Sequence, residues 1–226
     1  RGLAHPSSPR PPMRAARHRP RPASASAPTS TDRDTLKRRL LALTANTRRG
    51  KAASADRRRE VAAAVAALEA VNPTPDPALS PSLRRDWALL WTGPADPDDA
   101  AWEKRSGGLE GPVLAALAPL GKVLGLRGGS VNQNIAPDGA SVHNVASFTA
   151  LGAPGFLDVR GSVAVASPTR VDVVFDRCEV SLGKARLAFP LTAISPKGWV
   201  ETTYLDGTLR VGRGDKGSLF IVAAAD

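Results

Sequence analysis

The sequence is poor in the side chains that usually carry chemistry. Its 226 residues include one cysteine (Cys178), one methionine, one tyrosine and three histidines, and aromatic residues make up 4%. A lone cysteine excludes an internal disulfide and a thiolate cluster. Past residue 30 the sole histidine is His143, so one chain cannot assemble a two-histidine metal site or a zinc cluster. No G-x-S-x-G string occurs. The nearest approach, Asp138-Gly139-Ala140-Ser141-Val142-His143, carries turn chemistry rather than a strand-to-helix elbow. A serine esterase built on His143 needs only geometry and not a motif, whereas a lone histidine on a strand is ordinarily a surface or satisfied core residue. No catalytic residue, cofactor or metal ligand is assigned, and the chain is read as a non-enzyme. No apolar run approaches the length that spans a bilayer, which predicts a soluble or peripheral protein.

Acidic residues are absent from the first thirty positions, which hold six arginines among serine, alanine and proline. That composition is that of an organellar transit peptide, without the apolar centre of a secretory signal; a disordered linker or a nucleic-acid-binding arm is the other reading. Residues 1–31 are therefore taken as a disordered tail, with Met13 a candidate start. The net charge of +10 is confined to this tail and to residues 31–71, which hold ten basic and five acidic groups, while residues 72–226 balance fifteen against sixteen. A basic groove on the main domain, and with it a nucleic-acid partner, is unsupported.

What the sequence does have is periodicity. From Asp32, Leu36, Leu40 and Leu43 recur at helical spacing, and after a stop near Gly50 a second helix opens at Ser54 with Val61, Val65 and Leu68 on one stripe. Asn72-Pro73 closes this basic two-helix hairpin, residues 32–75, and a proline-rich connector follows. Residues 94–108 read as an exposed acidic loop, and Leu109 to Leu126 stays open between helix and irregular chain. Trp87 begins the first of about nine short strands, and residues 83–224 read as an antiparallel sheet closing into a barrel or folding into a sandwich. Val171, Val173 and Phe175 alternate onto one face, as do Leu157, Val159, Val163 and Val165. Gly212, Gly214 and Gly217 match G-x-G-x-x-G, but a strand candidate follows them where a dinucleotide site needs a helix; a reversal between antiparallel strands is predicted instead.

Three stretches taken in order, residues 40–77, 166–176 and 203–222 ("TYLDGTLRVGRGDKGSLFIV"), resemble the plastid-lipid-associated protein family, also called fibrillins or plastoglobulins. The resemblance spans about residues 36–222. It departs at Gly207, where the family usually has an acidic residue, and in the acidic insertion after Trp91. It implies a mainly β fold, a lipocalin-like antiparallel barrel behind the basic hairpin, and a chloroplast protein at plastoglobule or thylakoid surfaces. It also implies binding of small apolar molecules such as lipids, prenylquinones, carotenoids or fatty acids, without catalytic residues. The alternatives are a structural coat of plastid lipid droplets with no internal ligand and a non-catalytic scaffold for lipid or quinone synthesis enzymes.

The candidate ligand-binding residues are the strand aromatics Trp87, Trp91, Phe148, Phe175, Phe189, Trp199, Tyr204 and Phe220, each of which serves equally as plain core, with Asp206, Arg210 and Arg213 as polar groups. Ala164, Ala166 and Ala188 are the small residues expected to leave interior room. Arg210 either meets a ligand oxygen or forms an ion pair in the terminal hairpin. Lys37, Arg38, Arg39, Arg48, Arg49, Lys51, Arg57, Arg58 and Arg59 form the candidate membrane surface, attracted to anionic head groups while the apolar stripes close one end of the barrel. The expected partners are thus a small apolar ligand and a lipid surface; the sequence names no protein partner.

Overall fold

The computed structural model describes residues 30–106, 127–193 and 195–225. Helix α1 (Ser30–Thr44) and helix α2 (Ala55–Glu69) form the expected hairpin, and the Ser54 side chain accepts from the Arg57 N–H as the N-cap. The turn between them runs through left-handed backbone at Asn46, Arg48, Arg49 and Gly50. Gly50 is required there: a Cβ at this position would stand 2.3 Å from the Thr92 carbonyl oxygen. Alanine-rich α2 needs little room, and Val61, Ala64, Val65 and Leu68 make its buried stripe.

Among the described residues nine antiparallel strands follow: β1 (Asp86–Pro94), β2 (Arg127–Ile135), β3 (Ser141–Ala150), β4 (Ala153–Val165), β5 (Arg170–Leu182), β6 (Ala185–Pro190), β7 (Lys197–Leu205), β8 (Leu209–Gly214) and β9 (Ser218–Ala224). They hydrogen-bond in the order β4-β3-β2-β1-β9-β8-β7-β5-β6, and β4 also pairs with β5. The circuit closes because one edge of β5 meets β4 along its length while the other is shared, residues 170–174 going to β7 and 177–182 to β6. Eight strands thus form a ring with β6 attached to its flank, leaving fewer free edges than an open sheet. The glycines near the carboxyl end lie in the β8–β9 hairpin, where Gly217 has φ +71° and donates to the Gly214 carbonyl, so their spacing is turn chemistry as predicted.

Three of the four register shifts between the paired strands decide which of the large side chains face inward. An extra residue at Leu90 in β1 leaves Trp87 and Leu89 inside and turns Trp91 outward; one at Thr203 in β7 does the same between Thr202 and Tyr204; one at Asp176 in β5 keeps Phe175 and Cys178 on the same side. Two interior clusters result. Trp87, Ile135, Val142, Leu205 and Val222 fill the middle with Leu83, and Leu157, Cys178 and Leu191 lie towards the β3–β4 end with Phe148 and Phe189.

The third cluster corrects the expectation that the hairpin closes one end of the ring. Leu40, Val61, Val65 and Leu68 pack against Trp91, Tyr204, Leu209, Val211, Leu219 and Ile221, which are the outward side chains of β1, β7, β8 and β9. The helices cover a wall from outside, and this is why β8 and β9 are buried on both faces. Each fully buried large apolar side chain here contributes roughly 1.5–3 kcal/mol, so this seam is a principal attachment of the hairpin. The acidic loop is also not wholly irregular. A short helix, α3 (Trp102–Ser106), turns Trp102 inward to donate to the Ser218 hydroxyl at 3.1 Å. The open reading of 109–126 and that of the tail up to residue 29 lie outside the described residues.

Candidate functional site

One end of the ring, where β2 meets β3 and β4 meets β5, holds a pocket of about 90 Å3. Its walls are Val142, Val163, Val165, Val171, Val173 and Val200, with Leu83 and Ile135; Arg84, Asp138 and Gly139 border it, and Gln133, Thr202 and Arg210 supply its polar lining. Val163 and Val165 come from alternate positions of β4 and Val171 and Val173 from alternate positions of β5, with Val142 on β3 and Val200 on β7, and their short branched side chains clothe the pleat without filling the centre. The room does not come from the alanines expected to leave it: Ala164, Ala166 and Ala188 are all exposed, which corrects that expectation. Asp172 pairs across the ladder with Ala164, on the face opposite Val163 and Val173.

Among the described residues Arg210 is the one charged side chain committed to this interior, and it is 5% exposed. It reaches inward because it alternates on β8 with Leu209 and Val211, which face the helices. Its Nη2 donates to Gln133 Oε1 at 2.6 Å, and its guanidinium lies 5.5 Å from the centre of the Trp87 ring. Gln133 is itself oriented, since its Nε2 donates to Asn144 Oδ1 at 3.0 Å. Trp87 is held by donation from Nε1 to the Leu83 carbonyl at 3.0 Å, and Arg85 lies over the same ring at 5.7 Å. The Arg210 Nε is buried with no hydrogen-bond partner among the described residues. Burial lowers the Arg210 pKa to about 10, which leaves it protonated at neutral pH.

The other two polar candidates serve the architecture. Arg213 faces outward and grips Glu69 of α2 through two carboxylate contacts at 2.9 and 3.0 Å. Asp206, in the β7–β8 turn, takes Lys37 at 2.8 Å and the Tyr204 hydroxyl at 2.7 Å, and its Oδ1 caps the N–H groups of Thr208 and Leu209. Burial alone would raise the Asp206 pKa, but the Lys37 ammonium and these donors outweigh it and hold the group at about 2. Burial and then the Asp206 charge push the Tyr204 hydroxyl up, so it stays a donor.

The aromatics divide by face. Trp87, Phe148, Phe175 and Phe189 belong to the interior clusters, while Trp91 and Tyr204 sit under the helices. Trp199 carries the Arg170 guanidinium at 4.9 Å on the outer surface, and Phe220 packs beside Gly214. Of the eleven predicted ligand contacts only Arg210 lines the pocket. Sequence reading missed Gln133 and Thr202, polar residues within strands, although the alternation of Val163, Val165, Val171 and Val173 already marked the wall.

The candidate membrane residues are not one uniform field. Lys37 is spent on Asp206; Arg57 faces Glu60, Arg58 faces Glu103, and Arg59 faces Asp56 and Asp98. Arg49 donates to the Gly129 carbonyl and Arg38 to the Thr35 hydroxyl. Arg38, Arg39, Arg48 and Lys51 are exposed, and no carboxylate among the described residues pairs with Arg39 or Arg48. No described helix is long and apolar enough to cross a membrane. His143 lies beside Asp158, and among the described residues no hydrogen bond joins it to a serine and no His, Cys, Asp and Glu group is placed to hold a metal.

A ring of antiparallel strands with a pocket at one end and a helical hairpin laid on its outer wall defines the class of this protein. A family model described as PAP_fibrillin matches residues 34–223, and the chain belongs to that family. It is 28% identical to plastoglobulin-1, chloroplastic, of Pisum sativum, across 83% of this chain and 60% of that protein. It is 29% identical to plastid lipid-associated protein 1, chloroplastic, of Brassica campestris, across 83% of this chain and 66% of that protein. The probable plastid-lipid-associated protein 11, chloroplastic, of Arabidopsis thaliana is 29% identical across 84% of this chain and 79% of its own length. The chain therefore spans less than two thirds of the first two relatives. No solved structure matches it.

Proposed function

We propose that this protein is a plastid lipid-associated protein that holds a small apolar molecule inside a lipocalin-like strand ring while resting on a plastoglobule or thylakoid surface. The observation that carries the reading is the valine-walled pocket leading down to a buried arginine. A protein that served only as a coat would gain stability by filling that end with larger side chains, since interiors ordinarily pack without such voids. The chloroplastic names of the relatives support the plastid address, and the exposed cations Arg38, Arg39 and Arg48 support attraction to anionic lipid.

The pocket also limits what can be held. At about 90 Å3 it is smaller than the ~150 Å3 cavity that accepts benzene in an engineered core. It takes the head and first carbons of a lipid, with the remainder leading out of the mouth, and does not enclose a whole carotenoid. Solvent extraction of the purified protein is expected to release a lipid or quinone, and the stripped protein should take up such molecules again. A preparation that carries nothing and takes up nothing would return the reading to that of a coat.

A further inference from the structure

Arg210 is unusual within its own strand. Three residues on, Arg213 is only partly buried and still has a bidentate carboxylate in Glu69. Arg210 is more deeply buried and enters no ion pair among the described residues; its one hydrogen-bond acceptor is the neutral Gln133 amide, and its Nε has none. Buried charges are ordinarily paired, because desolvating an uncompensated one is among the costliest events in folding. The surroundings are arranged to keep the cation in place all the same. Asn144 fixes the Gln133 amide so that its oxygen faces the guanidinium, and the Trp87 ring offers its π-face. No carboxylate among the described residues neutralises it.

Resting on the carrier reading above, we infer that the pocket takes a single-chain amphiphile by its carboxylate, which completes the Arg210 fork while the chain leads out along Val163, Val171 and Val173. A guanidinium presents parallel N–H donors that match the two oxygens of a carboxylate and is neutralised by them. A carotenoid brings no such oxygen, and a quinone carbonyl accepts a hydrogen bond without supplying charge. A phosphate monoester carries nearly two charges, yet the second cation of the lining, Arg84, stands at the mouth with an exposed contact to the Pro137 carbonyl. One deep cation therefore matches one carboxylate.

The test is calorimetric titration of the full chain with laurate, dodecanol and dodecyl phosphate, which share one tail, at about pH 8, where the carboxylic acid is ionised. Laurate is expected to bind about tenfold to a hundredfold more tightly than dodecanol, the range for a hydrogen-bonded charged group. In Arg210→Met the preference of laurate over dodecanol should vanish, and circular dichroism confirms the fold. If laurate and dodecanol bind the unmodified protein within about twofold, the carrier reading stands and the carboxylate inference falls. Tighter binding of dodecyl phosphate than of laurate overturns the assignment, as does a laurate preference that survives in folded Arg210→Met and so belongs to surface cations. If none of the three binds, the carrier reading itself fails. The comparison on the unmodified protein decides even if the variant does not fold.

Discussion

The Lys37 ammonium lies 2.8 Å from Asp206 Oδ2, tying helix α1 to the β7–β8 turn across 169 positions of sequence. Both side chains are less than one-fifth exposed, so the pair is shielded from the screening that weakens surface ion pairs. The Asp206 pKa of about 2 lies below its ordinary value. Stabilisation from this group is therefore complete above about pH 4 and is lost as pH falls towards about 2. Asp206→Asn is expected to cost about 2 kcal/mol at neutral pH and to flatten that part of the acid profile. Urea unfolding at a series of pH values measures both; an unchanged slope in the variant would remove Asp206 as the cause.

Gly50 sits at φ +88° with the Thr92 carbonyl where a Cβ would go. That carbonyl is backbone and cannot swing aside as a flexible side chain would. Gly50→Ala is expected to destabilise the protein by more than about 2 kcal/mol, combining left-handed strain with a backbone clash. Thermal unfolding reads the effect, and a shift no larger than that of an exposed Ala52→Gly would show that the turn can relax.

The elements themselves were legible from periodicity, because each depends on local rules: Ser54 as a cap, Leu36, Leu40 and Leu43 as a stripe, Gly217 as a turn. Which face a side chain takes was not legible past a bulge. Strict alternation puts Trp87 and Trp91 together, yet the extra residue at Leu90 sends one into the ring and the other under the helices. Tyr204 was misplaced by Thr203 in the same way. The helices were misassigned to an end for a related reason, since a strand buried on both faces, as β8 and β9 are, leaves no alternation to say that its second face has a partner. Arg210 was recognised because it breaks an apolar strand, whereas Gln133 looked like any polar strand residue and becomes informative only through its partner.

Leu151 occupies the β3–β4 turn with φ +52°, beside Gly152 at +78°, and is 71% exposed. Two successive positive φ values favour Asn-Gly, and leucine gains no burial here to offset its strain. Leu151→Asn should raise stability by up to about 1 kcal/mol. A denaturant midpoint that falls instead would show that the leucine side chain contributes more to stability than the relieved backbone strain returns.

The hairpin cations separate into paired and unpaired groups, and this predicts unequal effects at a lipid surface. Arg39→Glu with Arg48→Glu should weaken binding to phosphatidylglycerol vesicles by at least about tenfold, since each cation near an anionic surface contributes roughly 1 kcal/mol. Arg59→Glu, next to Asp56 and Asp98, removes a charge already partly neutralised and should change binding less, after allowance for its effect on local stability. Vesicle flotation at low and high salt measures this; equal losses in both variants, or binding insensitive to salt, would rule out the hairpin as the electrostatic contact.

Val171 and Val174 provide a matched pair for asking whether the pocket is used. Val171 lines the void, whereas Val174, three residues on, is 39% exposed on the other side of the sheet. Val171→Phe adds volume where space already exists, so its cost is expected to stay within about 1 kcal/mol, below the usual penalty for overpacking a filled core. Uptake of a neutral decyl benzoquinone, followed by quenching of tryptophan fluorescence, should be lost in Val171→Phe and retained in Val174→Phe. The neutral probe makes the result independent of the charge on Arg210, so this comparison tests occupancy of the ring alone. Equal uptake by both variants would place the quinone elsewhere on the molecule and leave the valine walls as packing.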